Sequence, residues 1–163
     1  VVSVATIEGG NRTNIIPDYV RMSGTVRTLD DAMGREIPAR MKTTAESIAA
    51  AAGAKATVRF GEGNPVTYND PVLTERMAPS LRRVAPDKFD PNTKALTTAE
   101  DFAYYQKKVP GVYFFLGVAP KDADLSKVEM NHSPRFSPDE APMIVGVRAL
   151  ASLAVDYLFG AGK

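Results

Sequence analysis

The stretch YVRMSGTVRT, Tyr19–Thr28, decides the fold class of the first part of the chain. Its valine and methionine side chains alternate with arginine, serine and threonine, and this period of two predicts a strand with one buried face. Val1–Ile7 is a second strand candidate, and Lys55–Gly61 alternates in the same way. Between them, Arg35–Ala52 has apolar residues at helical spacing, with Pro38 tolerable only in the first turn. The first part therefore predicts a sheet covered by a helix on one face.

A boundary follows at Gly61–Pro65, where glycine and proline are concentrated between two patterned regions. Asp70 is then a helix cap, because proline occupies the first helical position after it. The buried stripe of this helix is expected to consist of Leu73, Met77, Leu81 and Val84. A short helix is predicted over Phe102–Lys108, and a strand buried on both faces over Gly111–Val118.

The last helix carries the strongest local signals. Ser137–Glu140 has a cap residue, a proline and a glutamate three residues after the cap, which is the pattern of a capping box. Apolar residues follow at spacings of three and four until Gly160, where the helix is expected to end. Helices and strands alternate along the chain, so the fold class is α/β.

Composition narrows the classes of function. Hydrophobic residues make up 44% and charged residues 24% of the chain, which is typical of a globular protein and argues against disorder. The net charge of +1 gives no basic field for nucleic-acid binding. No apolar run approaches the length of a membrane span, and the absence of cysteine removes disulfides and thiolate chemistry.

The beginning of the chain suggests a fragment. It opens directly in the apolar run of Val1–Ile7, without an initiator methionine or a charged leader. Because natural chains seldom open within a strand, we expect a piece of a longer polypeptide. A signal peptide further upstream would be invisible, so the sequence leaves cytoplasmic, periplasmic and secreted locations open.

His132 is the only histidine, in a proline-containing loop ahead of the last helix. A loop imidazole can bind a metal through one ring nitrogen while a neighbour holds the other. One histidine does not make a metal site, so a surface or loop-stabilising role is the alternative.

Three other positions carry polar groups that suit a binding site. The adjacent carboxylates of Glu100 and Asp101 suit a metal cleft, or alternatively the first turn of a helix capped by Thr98. Arg27, on the polar face of its strand, can grip a carboxylate with two hydrogen bonds, or is simply solvated. Asn14 can contact a ligand or form a turn.

Taken in order, five segments resemble the aminoacylase- and hippurate-hydrolase-like amidohydrolases, which are relatives of the dinuclear metallopeptidases. Gly9–Asp18 and Ser23–Leu29 look like the signature of that family's lid domain. Ala99–Phe102, Pro110-Gly111 ahead of an aromatic strand, and His132–Phe136 look like the end of its catalytic domain. The resemblance covers essentially the whole chain, and the order of the segments makes it specific.

The resemblance implies a partial two-layer α/β lid domain at residues 1–62 and the C-terminal part of an α/β metallopeptidase catalytic domain at residues 63–163. It implies His132 as a metal ligand, Asn14 and Arg27 as substrate-binding residues, and Glu100 and Asp101 as residues lining the site. The implied reaction is hydrolysis of N-acyl amino acids or related amides and peptides. Water activated by two divalent metal ions, zinc or manganese, would attack the carbonyl, with a glutamate as general base.

The family's other metal ligands and its general base lie upstream of the segments that match. We therefore expect no catalytic residue in this segment, no stable metal binding by this chain alone, and no useful activity alone. The implied partners are a small amide substrate, the missing N-terminal portion and a second copy bound through the lid. The alternatives are a non-catalytic binding or assembly module and a degenerate relative that keeps the fold.

Overall fold

The structure, a computed structural model, describes residues 1–160 and divides into two compact units. The first unit comprises Val1–Thr67 together with Lys94–Tyr104. The second comprises Tyr68–Thr93 together with the chain from Tyr105 onward. Helices and a small sheet give a partial α/β fold. The assignment of residues 1–62 to a lid and 63–163 to a catalytic domain stays a prediction.

The first unit contains the only sheet among residues 1–160, an antiparallel pair of strands. Strand β1 spans Val2–Glu8 and strand β2 spans Arg21–Val26, with Val2 opposite Val26. Both predicted strands are confirmed, although β2 is shorter than its alternating pattern. The predicted buried face is wrong within the described chain, since Met22 on that face is 63% exposed.

The pairing of β1 with β2 is interrupted by a bulge. Val4 lies opposite Gly24 and Thr6 lies opposite Ser23, so Ala5 is the extra residue on β1. A Cβ atom at position 24 would lie 1.9 Å from the carbonyl oxygen of Ser3. The strands approach so closely here that only glycine fits.

Helix α1 spans Asp31–Ala51 and begins four residues before the predicted start at Arg35. Its cap is Asp30, whose side chain accepts a hydrogen bond from the backbone N–H of Met33 at 2.6 Å. Because of the earlier start, Pro38 lies inside the helix as its eighth residue, and its placement in the first turn was wrong. None of the residues of this helix is buried in the structure.

Two predicted strands are wrong, because neither Lys55–Gly61 nor Gly111–Val118 forms a strand. The alternation in the first segment is still visible, with Ala56 and Val58 half-buried between exposed neighbours. A strand needs a neighbouring strand to receive its backbone hydrogen bonds, and β1 and β2 pair only with each other within residues 1–160. A pattern of side chains shows the faces of a segment but not its partner.

The core of the second unit lies between two helices. Helix α2 spans Pro71–Val84 and is capped by Asp70, whose side chain accepts a hydrogen bond from Leu73 N at 2.8 Å, which confirms the predicted start. Met77 is 3% exposed and Leu81 is 9% exposed, and they belong to the predicted stripe. The last helix of the chain also contributes to this core, because its Ala149 is buried.

That last helix begins at Met143, not at Ser137, so the predicted capping box is wrong. The residues of the predicted box lie ahead of the helix, where the backbone N–H of Asp139 donates a hydrogen bond to the carbonyl oxygen of Val118 at 2.8 Å. The short helix Phe102–Gln106 is α3, and the helix Met143–Phe159 is α4. Gly160, with a left-handed φ of 78°, ends α4 as predicted. No helix within the described residues 1–160 is long and apolar enough to cross a membrane.

A buried polar cluster joins α2 to α4. Asp156, 5% exposed, accepts hydrogen bonds from Ser80 Oγ and from Arg83 Nη2, each at 2.5 Å. The Ser80 hydroxyl, and then the Arg83 guanidinium, hold the pKa of Asp156 below its ordinary value. Arg76 lies over the ring of Tyr157 at 4.9 Å and donates to that residue's carbonyl oxygen at 3.2 Å.

Candidate functional site

Arg27 lies immediately after β2 and extends its ladder, since its backbone N–H donates to the carbonyl oxygen of Val1 at 2.8 Å. Its side chain is exposed, and Nη1 donates a hydrogen bond to the carbonyl oxygen of Thr97 at 2.7 Å. The guanidinium makes no other hydrogen bond to the part of the chain that the structure describes. The rest of its fork is therefore available to an external carboxylate.

The acidic pair lies on the segment that Arg27 contacts. Glu100 is half-buried and Asp101 is exposed, and both directly precede α3. Asp101 Oδ1 accepts a hydrogen bond from Asn64 Nδ2 at 3.2 Å. Because α3 begins only at Phe102, Thr98 lies four residues ahead of the helix, and its predicted role as the helix cap is wrong.

The segment is fixed at a further point by Tyr104. Its hydroxyl donates to the carbonyl oxygen of Gly63 at 3.2 Å. Asn64 and Gly63 both belong to the glycine-rich stretch that the sequence marked only as a boundary. Glu100 and Asp101 therefore belong to the first unit, which also contains Arg27.

Asn14 lies in the turn-rich connection between β1 and β2 and is exposed. No hydrogen bond joins its side chain to any of residues 1–160. Its amide is therefore free to contact a ligand. Within residues 1–160, no hydrogen bond joins Asn14 to Glu100 or Asp101.

His132 belongs to the second unit and sits at a strained position. The N–H of Ser133 donates to the carbonyl oxygen of Met130 at 3.2 Å, closing a four-residue turn in which His132 is the third residue. Its φ of 72° makes it the only non-glycine residue with a left-handed backbone in the described chain. This conformation costs an L-residue about 1–2 kcal/mol, and strain of this kind gathers at functional sites.

The loop around His132 is held by its own neighbours. Arg135 pairs with Glu129 across the loop, and the backbone N–H of Arg135 donates to Ser133 Oγ at 3.2 Å. The imidazole is exposed and makes no hydrogen bond to any described residue. The loop is thus shaped without help from the ring, which leaves both ring nitrogens available.

The hypothesis that His132 binds a metal can be compared with the potential metal ligands of the described residues. Within residues 1–160, no group of three or more histidine, aspartate or glutamate side chains is arranged to hold a metal ion. His132 offers an exposed imidazole with no hydrogen-bond partner among the described residues, and this chemistry suits a metal ligand. The described residues therefore fit one ligand of a metal centre, but not a complete centre.

A second polar cluster was not foreseen from the sequence. The side-chain amide of Asn69 accepts a hydrogen bond from Tyr113 N at 2.7 Å and donates one to Tyr113 O at 2.8 Å, as a neighbouring strand would. Gln106 contacts Asn69 and also accepts from Tyr68 N at 3.0 Å. A cavity of about 260 Å³ lies beside them, lined in part by Asp70. None of the five predicted site residues lines this cavity.

The sequence model of peptidase family M20/M25/M40 matches residues 4–156 of this chain. The chain belongs to this family. The resemblance to aminoacylase-like and dinuclear metallopeptidase relatives is thereby confirmed.

Relatives within the M20/M25/M40 family show what the chain is similar to. It is 34% identical to thermostable carboxypeptidase 2 of Saccharolobus solfataricus, covering 96% of this chain and 39% of that protein. It is also 34% identical to N-acetyl-L-cysteine deacetylase of Bacillus subtilis, covering 88% of this chain and 32% of the relative. The chain therefore spans about two fifths or less of the length of these relatives.

A solved member of the family has the same fold over this region. The YxeP protein of Bacillus subtilis, described as a dinuclear metal-binding peptidase, superposes with a TM-score of 0.76 at 32% identity. The match covers 97% of this chain and 42% of that protein. The M20 peptidase fold is thus shown for the chain.

Proposed function

We propose that this chain is the C-terminal part of a metal-dependent amidohydrolase that hydrolyses N-acyl amino acids or related amides and peptides. The observation that carries the proposal is His132, an exposed imidazole on a left-handed backbone in a family with a dinuclear metal-binding member. A relative named for the deacetylation of N-acetyl-L-cysteine and another named as a carboxypeptidase support this range of substrates.

His132 is the proposed metal ligand. Two divalent ions, zinc or manganese, would supply an activated water for hydrolysis when bound. The turn that holds His132 sets the backbone from which the imidazole projects into solvent. Because the described residues contain no group of three or more histidine, aspartate or glutamate side chains arranged to hold a metal ion, the remaining ligands and the general base are proposed to lie upstream in a longer polypeptide.

Arg27 and Asn14 are the proposed substrate contacts. The free part of the Arg27 fork suits the carboxylate of an N-acyl amino acid, which a planar guanidinium binds with two parallel hydrogen bonds. Asn14 offers an amide donor and acceptor in the same unit. Glu100 and Asp101 are proposed to line the site, with Asp101 oriented by its bond to Asn64.

The proposal also assigns a role to each part of the chain. Residues 1–62 would be part of a lid that also forms a homodimer, and residues 63–163 the end of a catalytic domain. The isolated chain would bind metal weakly and would not hydrolyse amides, because a single imidazole lacks the geometry that holds zinc.

The test compares His132→Ala with the wild type in the complete natural polypeptide that contains these residues. Turnover of N-acetyl-L-cysteine and of a dipeptide should fall by about 10³-fold or more, which corresponds to about 4 kcal/mol of transition-state stabilisation. Metal content measured by mass spectrometry should fall as well. The midpoint of thermal unfolding of the metal-free protein should hardly change, because an exposed loop imidazole contributes little packing.

The control is Lys121→Ala, an exposed change in a nearby loop that should leave both turnover and metal content normal. A His132→Ala protein with normal metal content would refute the ligand role. Amide hydrolysis by this chain alone would refute the fragment proposal. A complete polypeptide that binds no metal and hydrolyses nothing would instead support the alternative, a non-catalytic binding or assembly module.

A further inference from the structure

The loop that carries His132 consists of two consecutive turns that share one residue. The first turn is closed by the hydrogen bond from Ser133 N to Met130 O at 3.2 Å. The second turn begins at Ser133 and is closed by the hydrogen bond from Phe136 N to Ser133 O at 3.0 Å. We call Met130–Phe136 the double turn. Because Ser133 belongs to both turns, its position couples the backbone of one turn to that of the other.

The sequence suits the second turn well and the first turn poorly. Pro134 occupies the second position of the second turn, where its fixed φ is favourable. In the first turn the only left-handed φ belongs to the third residue, which is the mark of a type II turn and favours glycine or asparagine there. His132 occupies that position with a φ of 72°. A strained residue of this kind persists only where surrounding contacts hold it.

An ion pair that spans the double turn supplies such a contact. Glu129 directly precedes the double turn, and its carboxylate binds the guanidinium of Arg135, six residues further along the chain. Arg135 is also tied to the second turn, because its backbone N–H donates to Ser133 Oγ at 3.2 Å. The pair therefore joins the chain ahead of the strained turn to the chain behind it.

We propose that Glu129 and Arg135 are positioning residues for His132, and that their ion pair holds its left-handed backbone in the conformation that binds the metal. The inference rests on the proposed function, in which His132 is a metal ligand. A ligand that is ordered in advance binds at a lower cost than one that binding itself must order. Without the pair, the first turn relaxes in the metal-free protein, and metal binding must restore the left-handed backbone.

The proposal differs from a direct effect of the two charges on the metal. By Coulomb's law, a carboxylate near a cation favours its binding, whereas a guanidinium opposes it. Removal of Glu129 and removal of Arg135 would then change metal affinity in opposite directions. A positioning role requires both removals to weaken binding, because each breaks the same contact. It also makes the second removal redundant once the first has been made.

The experiment measures zinc binding by the complete natural polypeptide, through competition with a chelating dye, for the ion that His132→Ala releases. Glu129→Ala and Arg135→Ala should each raise the dissociation constant about fivefold, which corresponds to the upper range for an exposed ion pair. The double variant should bind zinc no more weakly than either single variant. Arg135→Lys, which keeps the charge, should remain within about twofold of the wild type.

Thermal unfolding of the metal-free protein separates positioning from a general loss of structure. The midpoint should hardly change in either single variant, because the lost ion pair is offset by the release of strain at His132. The matched control is Lys127→Ala, which removes the exposed ion pair with Asp124 just ahead of the double turn. This control should leave the zinc dissociation constant unchanged.

Three results would overturn the positioning role. They are zinc affinities within about twofold of the wild type in both single variants, shifts in opposite directions, and losses that add up in the double variant. An equal weakening in Lys127→Ala would also count against it, since any ion pair of the loop would then have the same effect.

A failure of the proposed function is seen separately in His132→Ala. If that variant releases no zinc, the ligand role is refuted, and the positioning role is refuted with it. If it releases zinc while Glu129→Ala and Arg135→Ala bind zinc normally, the ligand role stands and only the positioning role is refuted.

Discussion

Gly24→Ala should destabilise the first unit strongly, although it adds only one methyl group. The new Cβ would lie 1.9 Å from the carbonyl oxygen of Ser3 and 3.0 Å from Val4 Cα. Ordinary contacts of this kind are about 3.4 Å or longer, so the two strands would have to separate by about 1.5 Å. Backbone atoms cannot rotate away as a flexible side chain can, and the bulge at Ala5 already uses the local freedom of β1.

The cost can be worked out from two terms. Overpacking of a closely fitted position costs about 1–3 kcal/mol. Each ladder hydrogen bond lost as the strands separate costs about 1 kcal/mol. The expected loss is therefore about 2–4 kcal/mol in the free energy of unfolding, measured by urea denaturation with far-ultraviolet circular dichroism.

The matched control is Gly61→Ala, which makes the same chemical change. Nothing lies within 4 Å of a Cβ at position 61, and its φ is not left-handed. Alanine there should be neutral or stabilise the protein by up to about 1 kcal/mol, because it restricts the unfolded chain. Equal stability of the two variants would refute the close approach of the strands and the bulge that causes it.

Three other predictions, the first with a matched control variant, test the second unit and the site. Met77→Ala, which truncates a side chain only 3% exposed between α2 and α4, should cost about 2–5 kcal/mol in urea unfolding. Val72→Ala on the same helix, at a side chain 77% exposed, should cost the isolated chain less than about 0.5 kcal/mol. The pKa of Asp156 is lowered in the folded protein, so its carboxylate stabilises the fold above the ordinary carboxyl pKa, and this effect is lost as the pH falls through the lower folded pKa. Asp156→Asn should therefore lower the midpoint of thermal unfolding at neutral pH, and that midpoint should fall less steeply below about pH 4 than in the wild type. Arg27→Lys in the complete polypeptide should raise the KM of carboxylate-bearing substrates with little change in the thermal midpoint, and an unchanged KM would leave Arg27 as a surface residue that only contacts Thr97.

Local signals predicted local structure well. The cap at Asp70 and the stop at Gly160 were found because each depends on residues within one turn. The capping box at Ser137 failed although its sequence pattern is as good. The N–H of Asp139, within the predicted first turn, donates to Val118, which lies 21 residues earlier in the chain, and no local pattern reports such a long-range bond.

The same limit applies to the candidate site. His132 could be singled out because it is the only histidine, and the resemblance supplied its role. Its left-handed backbone could not be foreseen, since residues at the third position of such turns are usually glycine or asparagine. Asn64 was missed because its partner Asp101 is 37 residues away and its own neighbourhood is typical of a boundary loop.

Two independent features of residues 1–160 bear on the proposal that the chain is part of a longer hydrolase. Residues 1–160 hold one exposed imidazole but no group of three or more candidate ligand side chains arranged to hold a metal ion. The core is incomplete as well, since only Met77, Leu81, Ala103 and Ala149 are buried apolar residues in the described part of the chain. A degenerate relative that lost its activity would keep a closed core, because stability is selected apart from catalysis. Both features favour the proposed longer hydrolase over a degenerate relative, because in that proposal a further part of the polypeptide would both complete the metal site and cover apolar residues that are exposed here.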